Sequence, residues 1–319
     1  AWAFPTTARG GRATVPHDYT PAAEAWSRRQ ADHFEHINRL ELASAACRRR
    51  GMELFGWIQL QAHEASADGQ LGGAISRFYQ DHPQYLEKDI HGRPVKGRLC
   101  LGYQEVRDHY IEVAVEALAM GAQGILIDTA NHLPCAMYGD PLLAEFREKH
   151  GQDMRDLPAF DLRVMTLQSQ VMARFLRELR DAMHKAQPRL RAPLQIGVAR
   201  THAVMGCDPI SWAREHLVDG VILQLDGRDY PAGDVASLAQ SLQETYSLAA
   251  VGFARARWGQ PARPLPPRYF VKEVSRYTQQ GAAFILLGES AWLIRHRGLC
   301  QAVRRINHPH IPQPRAVLA

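Results

Sequence analysis

With 319 residues, 46% of them hydrophobic and 22% charged, the chain has the material for a sizeable core, which excludes a disordered or low-complexity polymer. An α/β barrel routinely uses about 200–250 residues or more in one domain, so the length does not require two. The formal net charge of +5 is dispersed, and its densest runs, CRRRG and IRHRG, are short and lie in helical contexts, which speaks against a nucleic-acid-binding face.

From residue 37 onward the chain repeats one phrase: a helix, a glycine, then a short aliphatic strand ending in polar residues. INRLELASAACRRRG sets Ile37, Leu40, Ala43 or Ser44, and Cys47 at helical spacing, stops at Gly51 and leads into MELFGWIQLQ. QEVRDHYIEVAVEALAM puts Val106, Tyr110, Val113, Ala117 and Met120 on one face, with Gly121 as a left-handed stop before QGILID. VMTLQSQVMARFLRELRDAMHKAQP carries a sustained stripe of Val164, Leu167, Val171, Phe175, Leu179 and Met183 and passes through Pro188 and Pro193 into LQIGVAR. Helices at DPISWAREHL, VASLAQSLQETY and RYFVKEVSRYTQQG then precede VDGVILQLD, SLAAVGFARA and AAFILLGES.

Apolar strands joined by helices are what a parallel sheet covered on both faces requires, because each crossover has to travel back along a helix. An open doubly wound sheet would advertise a phosphate-binding turn such as GxGxxG, and none occurs, so a (β/α)8 TIM-type barrel is expected. Strands are predicted at about 53–60, 123–128, 194–200, 219–226, 248–255 and 282–288, with AWAFPTTAR as a candidate seventh. The eighth is expected to lie before Ala1, so the barrel would lack or modify its first strand within this chain. Residues 1–306 are assigned to that single barrel domain, and the proline-rich 307–319 to an extended C-terminal tail over the surface.

Side chains at the C-terminal ends of barrel strands project into the one mouth that loops can enclose, so chemistry is sought there. Those ends carry His63 and Glu64, Asp128, Arg200 and His202, Gln224 and Asp226, Arg255 and Arg257, and Glu289. Any one of these charges is explained by solvation or by an ion pair, whereas three carboxylates at one mouth suit the cleavage of a glycosidic bond. One carboxyl protonates the leaving oxygen while another acts as nucleophile or activates water. Trp57, Tyr103, Tyr138, Tyr230, Trp258 and Trp292 fall on or near the same ends and suit the apolar faces of sugar rings, although such residues are more often core. His63, His132 and His202 with Asp128 would also supply a metal set, but the first strand has no HxH, so metal chemistry ranks below carboxylate chemistry.

Five cysteines, Cys47, Cys100, Cys135, Cys207 and Cys300, stand far apart without CxxC or zinc spacing, and their odd number argues against a complete disulfide framework. No run reaches the roughly 18–20 apolar residues of a membrane span, and no signal peptide is visible. The chain does not open on Met, so its true start, and with it any export signal, is expected to have been removed, which is compatible with export to the periplasm or beyond.

Four blocks in order, CRRRGMELFGWIQL, DHPQYLEKDIHGRP, LGYQEVRDHYIEVAVEAL and GAQGILIDTANHLP, are similar to those of the glycoside-hydrolase-family-10-like barrel proteins of bacteria. The resemblance covers roughly residues 45–230 and implies a glycosyl hydrolase, with Asp128 matching the family's strand-end aspartate and Arg107 the arginine that opens its helix. The chain departs from that pattern in carrying Thr129, Ala130, Asn131 and His132 after the aspartate, Asp226 in place of a tyrosine after Gln224, and no glutamate in SLAAVGFARARWG.

These observations lead to a barrel that hydrolyses a carbohydrate, an oligo- or polysaccharide, without cofactor or metal. Asp128 is assigned as nucleophile or base, Asp226 as proton donor and Glu289 as reserve donor. Trp57, His63, Glu64, Tyr103, His132, Tyr138, Arg200, His202 and Gln224 are assigned to substrate binding. A non-catalytic carbohydrate-binding barrel is the first alternative and a metal-dependent hydrolase the second.

Overall fold

The computed structural model describes residues 13–14, 38–61, 63, 75–129, 134–158, 160–199, 206–225, 232–243, 248–253, 266–287, 297–306 and 315–318. They fall into two compact units, one of residues 1–193 with 202–207 and one of residues 194–201 with 208–319.

In the first unit, a two-residue strand β1 (Ala13–Thr14) precedes helix α1 (Arg39–Arg49), which Asn38 opens by accepting the Leu40 and Glu41 amides. Gly51, at φ 62°, ends the turn as expected and leads to β2 (Phe55–Gln59). An excursion follows, made of β3 (Ile75–Ser76), paired antiparallel with β1, the short helix α2 (Arg77–Asp81), and an antiparallel hairpin of β4 (Leu86–Lys88) and β5 (Pro94–Leu99). The tip of the hairpin is held by Asp89, whose carboxylate accepts the amides of His91 and Arg93 at 2.9 Å each.

Helix α3 (Gln104–Ala119) buries Val106, Tyr110, Val113 and Ala117, and Gly121 turns the chain at φ 97° into β6 (Gly124–Asp128). After β6 come α4 (Asp140–His150), begun by Pro141 in its first turn and stopped by Gly151 at φ 68°, and the long helix α5 (Leu162–Ala186). The six-residue stripe expected on α5 is buried in full, each side chain contributing about 1.5–3 kcal/mol of apolar burial. It packs on α3, where Tyr110 meets Phe175 edge-on with ring centroids 5.9 Å apart.

The second unit alternates strand and helix: β7 (Leu194–Ala199), α6 (Pro209–Arg214), β8 (Gly220–Leu225), α7 (Ala232–Gln243), β9 (Leu248–Phe253), α8 (Pro267–Gln279), β10 (Phe284–Leu287), α9 (Arg297–Ile306) and β11 (Arg315–Leu318). Its five strands pair parallel in chain order. The six strands predicted from glycine-bounded apolar runs are therefore strands, and the helices predicted between them are helices. Residues 1–9, the candidate extra strand, lie outside the described residues. Within 307–319, the segment Arg315–Leu318 is extended as a strand hydrogen-bonded along β10, where the proline-rich composition suggested a surface course. Among the described residues, no helix is long and apolar enough to cross a membrane.

Candidate functional site

The site is built on the parallel pair β2 and β6, in register with Phe55 opposite Gly124, Trp57 opposite Leu126 and Gln59 opposite Asp128. All five residues of β6 are buried, so its sequence has no polar side to read. The glycines settle which face is which. A Cβ on Gly56 would lie 3.2 Å from Ala117 of α3, so Gly56 and Ile58 face the helix layer. A Cβ on Gly124 would strike the Phe55 ring, so Phe55, Trp57 and Gln59 share the opposite face with Gly124, Leu126 and Asp128. Asp128 thus points away from α3.

On that face the Trp57 Nε1–H donates to Asp128 Oδ2 at 3.2 Å. Asp128 is wholly buried, whereas Trp57 keeps 40% of its surface exposed, an unusual fraction for an indole on a strand. A buried carboxylate and a part-exposed indole therefore stand together on one face of the strand pair, one suited to proton transfer and the other to stacking on an apolar ring.

The chain leaves β2 through Gln61, a non-glycine residue at φ 63°. That left-handed conformation costs of the order of 1 kcal/mol or more and is held here by a buried amide. Gln61 Oε1 accepts the Leu99 amide at 2.8 Å, and its Nε2 donates to the Leu99 carbonyl at 2.8 Å and to the Cys135 carbonyl at 3.3 Å. The end of β2, the hairpin and the loop that follows Asp128 are thereby locked to one another.

That loop, where described, is fastened at four successive points. Arg98 donates to the Pro134 carbonyl, Gln61 to Cys135, the Met137 amide donates to Glu87, and the Tyr138 amide donates to the Lys88 carbonyl at 3.1 Å. Glu87 and Arg98 are both buried. Burial pushes the Glu87 carboxyl above the usual range and pulls the Arg98 guanidinium down, while each charge partly restores the other. Gly139 passes so close to Cys100 and Glu87 that a Cβ would sit 2.9 Å from that of Cys100 and 3.1 Å from Glu87 Oε2. Beside them Cys135 and Cys207 bring their sulfurs to 2.6 Å.

The other expected residues take varied places. His63 is buried, with Nε2 2.5 Å from the Tyr110 hydroxyl and its ring stacked on Tyr79 at 6.0 Å. Tyr103 precedes α3, with its ring centroid 5.0 Å from that of Tyr85; burial, with the Asp140 charge second, pushes its hydroxyl up to about 12. Tyr138 is buried at the far end of the Asp128 loop, and burial raises its hydroxyl. Gln224, half-buried in the second unit, stands on β8 opposite Ala199 and Gly252. Glu64, His132, Arg200, His202, Asp226 and Glu289 lie outside the described residues, as do Tyr230, Arg255, Arg257, Trp258 and Trp292.

Arg107 is taken up by contacts within the fold. It is buried on α3, pairs with Glu178 at 2.7 Å and donates to the carbonyls of Leu101 and Gly102. Among the described residues no group of three His, Cys, Asp or Glu side chains is arranged to hold a metal, and two of the three histidines considered for one lie outside them. Gln61, Glu87, Arg98 and the Cys135–Cys207 pair escaped notice in the sequence, where none of them belongs to a short-range pattern.

No family model matches the chain, and no curated protein matches it in sequence. In fold it is similar to the PgaB (BpsB) glycoside hydrolase domain from Bordetella bronchiseptica, with a TM-score of 0.56 at 13% identity over 80% of this chain and 76% of that one. It is also similar to the β-galactosidase from the psychrophilic Marinomonas ef1, with a TM-score of 0.52 at 11% identity over 80% of this chain. The match covers 52% of that enzyme, so this chain spans about half its length.

Proposed function

We propose that the protein is a glycoside hydrolase whose site is centred on Asp128 and Trp57. The observation that carries this reading is the hydrogen bond between them on the face turned away from α3, with the indole left 40% exposed beside a buried carboxylate. Trp57 would stack on the apolar face of a sugar ring, and Asp128 would act as nucleophile or base next to it. The fold likeness to the PgaB hydrolase domain and to a β-galactosidase supports the same class. Asp226 as proton donor, Glu289 in reserve, and Arg200, His132 and His202 as hydroxyl-orienting groups follow from their places at strand ends in the sequence, with residues 1–306 taken as one (β/α)8 barrel.

The test is hydrolysis of a panel of aryl glycosides and oligosaccharides, β-galactosides included, by the parent chain and by Asp128→Asn, Asp226→Asn and Glu289→Gln. Loss of turnover in folded Asp128→Asn, with binding retained, is expected. Undiminished turnover by that variant would end the assignment.

The complete burial of Asp128 favours one second reading, a carbohydrate-binding barrel in which the carboxylate only holds the indole in position. Sugar binding measured by titration on the same panel separates the two, since binding without product from any member supports the second.

A further inference from the structure

Two of the five cysteines meet in space although 72 residues separate them. Cys135 belongs to the loop after Asp128, and Cys207 follows Gly206 on a different stretch of the same unit. Both are 2% exposed. The sulfurs lie 2.6 Å apart, against about 2.05 Å in a disulfide, so a shift of about half an ångström would close the bond.

The backbone on each side is already fixed. Gly206 sits at φ 67° with its Cα pressed against Gln168, where a Cβ would fall 2.7 Å from that of Gln168, so any other residue would displace the segment that presents Cys207. Cys135 is flanked by the Arg98 bond to Pro134 and accepts Gln61 through its own carbonyl. Two thiols held in this way lose little conformational freedom on joining.

We propose that Cys135 and Cys207 form an intrachain disulfide that staples the Asp128 loop to the Gly206–Cys207 segment. It is independent of the glycosidase reading, since it rests on the sulfur positions and on the backbone that holds them.

The chemistry balances with a small-molecule disulfide as oxidant. The Cys135 thiolate attacks one sulfur of the oxidant, breaks its S–S bond and expels one thiolate. Cys207, once its proton has passed to that thiolate, attacks Cys135 Sγ and expels the second. The two protein thiols lose two electrons, and the oxidant is reduced to two thiols. Cys135 suits the first step. Hydrogen bonding from the Cys207 thiol, then from Thr129, with the Arg98 charge nearby, holds it below the ordinary thiol range, and the same bond raises Cys207.

The full chain is equilibrated with oxidised glutathione, quenched in acid, unfolded, alkylated and mapped by mass spectrometry. The expected result is a Cys135–Cys207 cross-linked peptide that removes two of the five thiols from alkylation, distinct in mass from any glutathione adducts at the part-exposed Cys47 and Cys300, and a melting temperature several degrees above that of the reduced chain. In Cys207→Ala, Cys135 should instead keep a glutathione adduct, which the parent chain resolves. Five free thiols in the treated parent chain, a cross-link to Cys47, Cys100 or Cys300, or a persistent adduct on parent Cys135 would each overturn the proposal. The parent map decides the matter even where the variant does not fold.

Discussion

The indole of Trp57 and the carboxylate of Asp128, 71 residues apart in the chain, meet at 3.2 Å on one face of two neighbouring parallel strands. Replacing Trp57 by Phe keeps an aromatic ring but removes the Nε1 donor. Because the acceptor is a buried carboxylate, the change should cost about 1–2 kcal/mol of stability, read by urea unfolding. Trp57→Ala, which also removes the ring, should weaken sugar binding by about tenfold or more, whereas the Phe variant keeps most of it. Equal affinities for all three chains would remove the indole from the site.

Two glycines distinguish conformational cost from steric cost. Gly51 has φ 62° and open space around its missing Cβ, so Gly51→Ala should lose only about 1 kcal/mol. Gly124 has the Phe55 ring and the Pro193 carbonyl against it, so Gly124→Ala has to move a strand or a ring and should lose about 1–3 kcal/mol, with Asp128 displaced as well. Denaturant midpoints of the two variants give the comparison, and a smaller loss at Gly124 would contradict the face assignment made for β6.

Glu87 gives the stability a recognisable pH dependence. Its folded-state carboxyl titrates above the ordinary value of 4.5 because burial outweighs the Met137 amide, the Cys100 thiol and the Arg98 charge. An acid raised in this way binds its proton more tightly folded than unfolded. Its contribution therefore favours folding at low pH and is lost as pH climbs from that ordinary value through the raised one. Glu87→Gln does not titrate, so the stability of the parent chain minus that of the variant should fall as pH rises above the ordinary carboxyl value of 4.5. A difference that stays flat or rises as pH increases counts against a raised Glu87 carboxyl.

Arg107 fastens the start of α3 through a guanidinium shared among Glu178, Gln104 and the carbonyls of Leu101 and Gly102. Arg107→Met leaves those acceptors without their donor and should cost about 2–4 kcal/mol, while Arg107→Lys, which cannot reproduce the fork, should fall between. Thermal unfolding of the three chains checks the order. The arginine matched by family resemblance is thus expected to affect stability first, and turnover only through it.

Much of the repeating architecture was legible because it is local. Period-3.6 stripes on α3 and α5, glycines at 51 and 121 in left-handed turns, and aliphatic runs at β2, β6 and β8 each record a constraint spanning a few residues. Helix α4 carried equally local signals, Pro141 and Gly151, and still passed unread between two stronger elements. The pairing of Arg315–Leu318 with β10 could not be read at all, since a four-residue strand acquires its identity from the edge it joins.

At the site the division follows the same physics. Composition and periodicity are enough to show that Asp128 ends an apolar strand and that Trp57 lies on another. They are silent on which face either occupies, because β6 is buried on both sides and so lacks the alternation that marks a face. That the two share a face, that Gln61 and Arg98 grip the loop beyond Asp128, and that Cys135 meets Cys207 emerges from the folded arrangement. Each is a contact between residues dozens of positions apart, set by strand register and close packing, which no window along the chain contains.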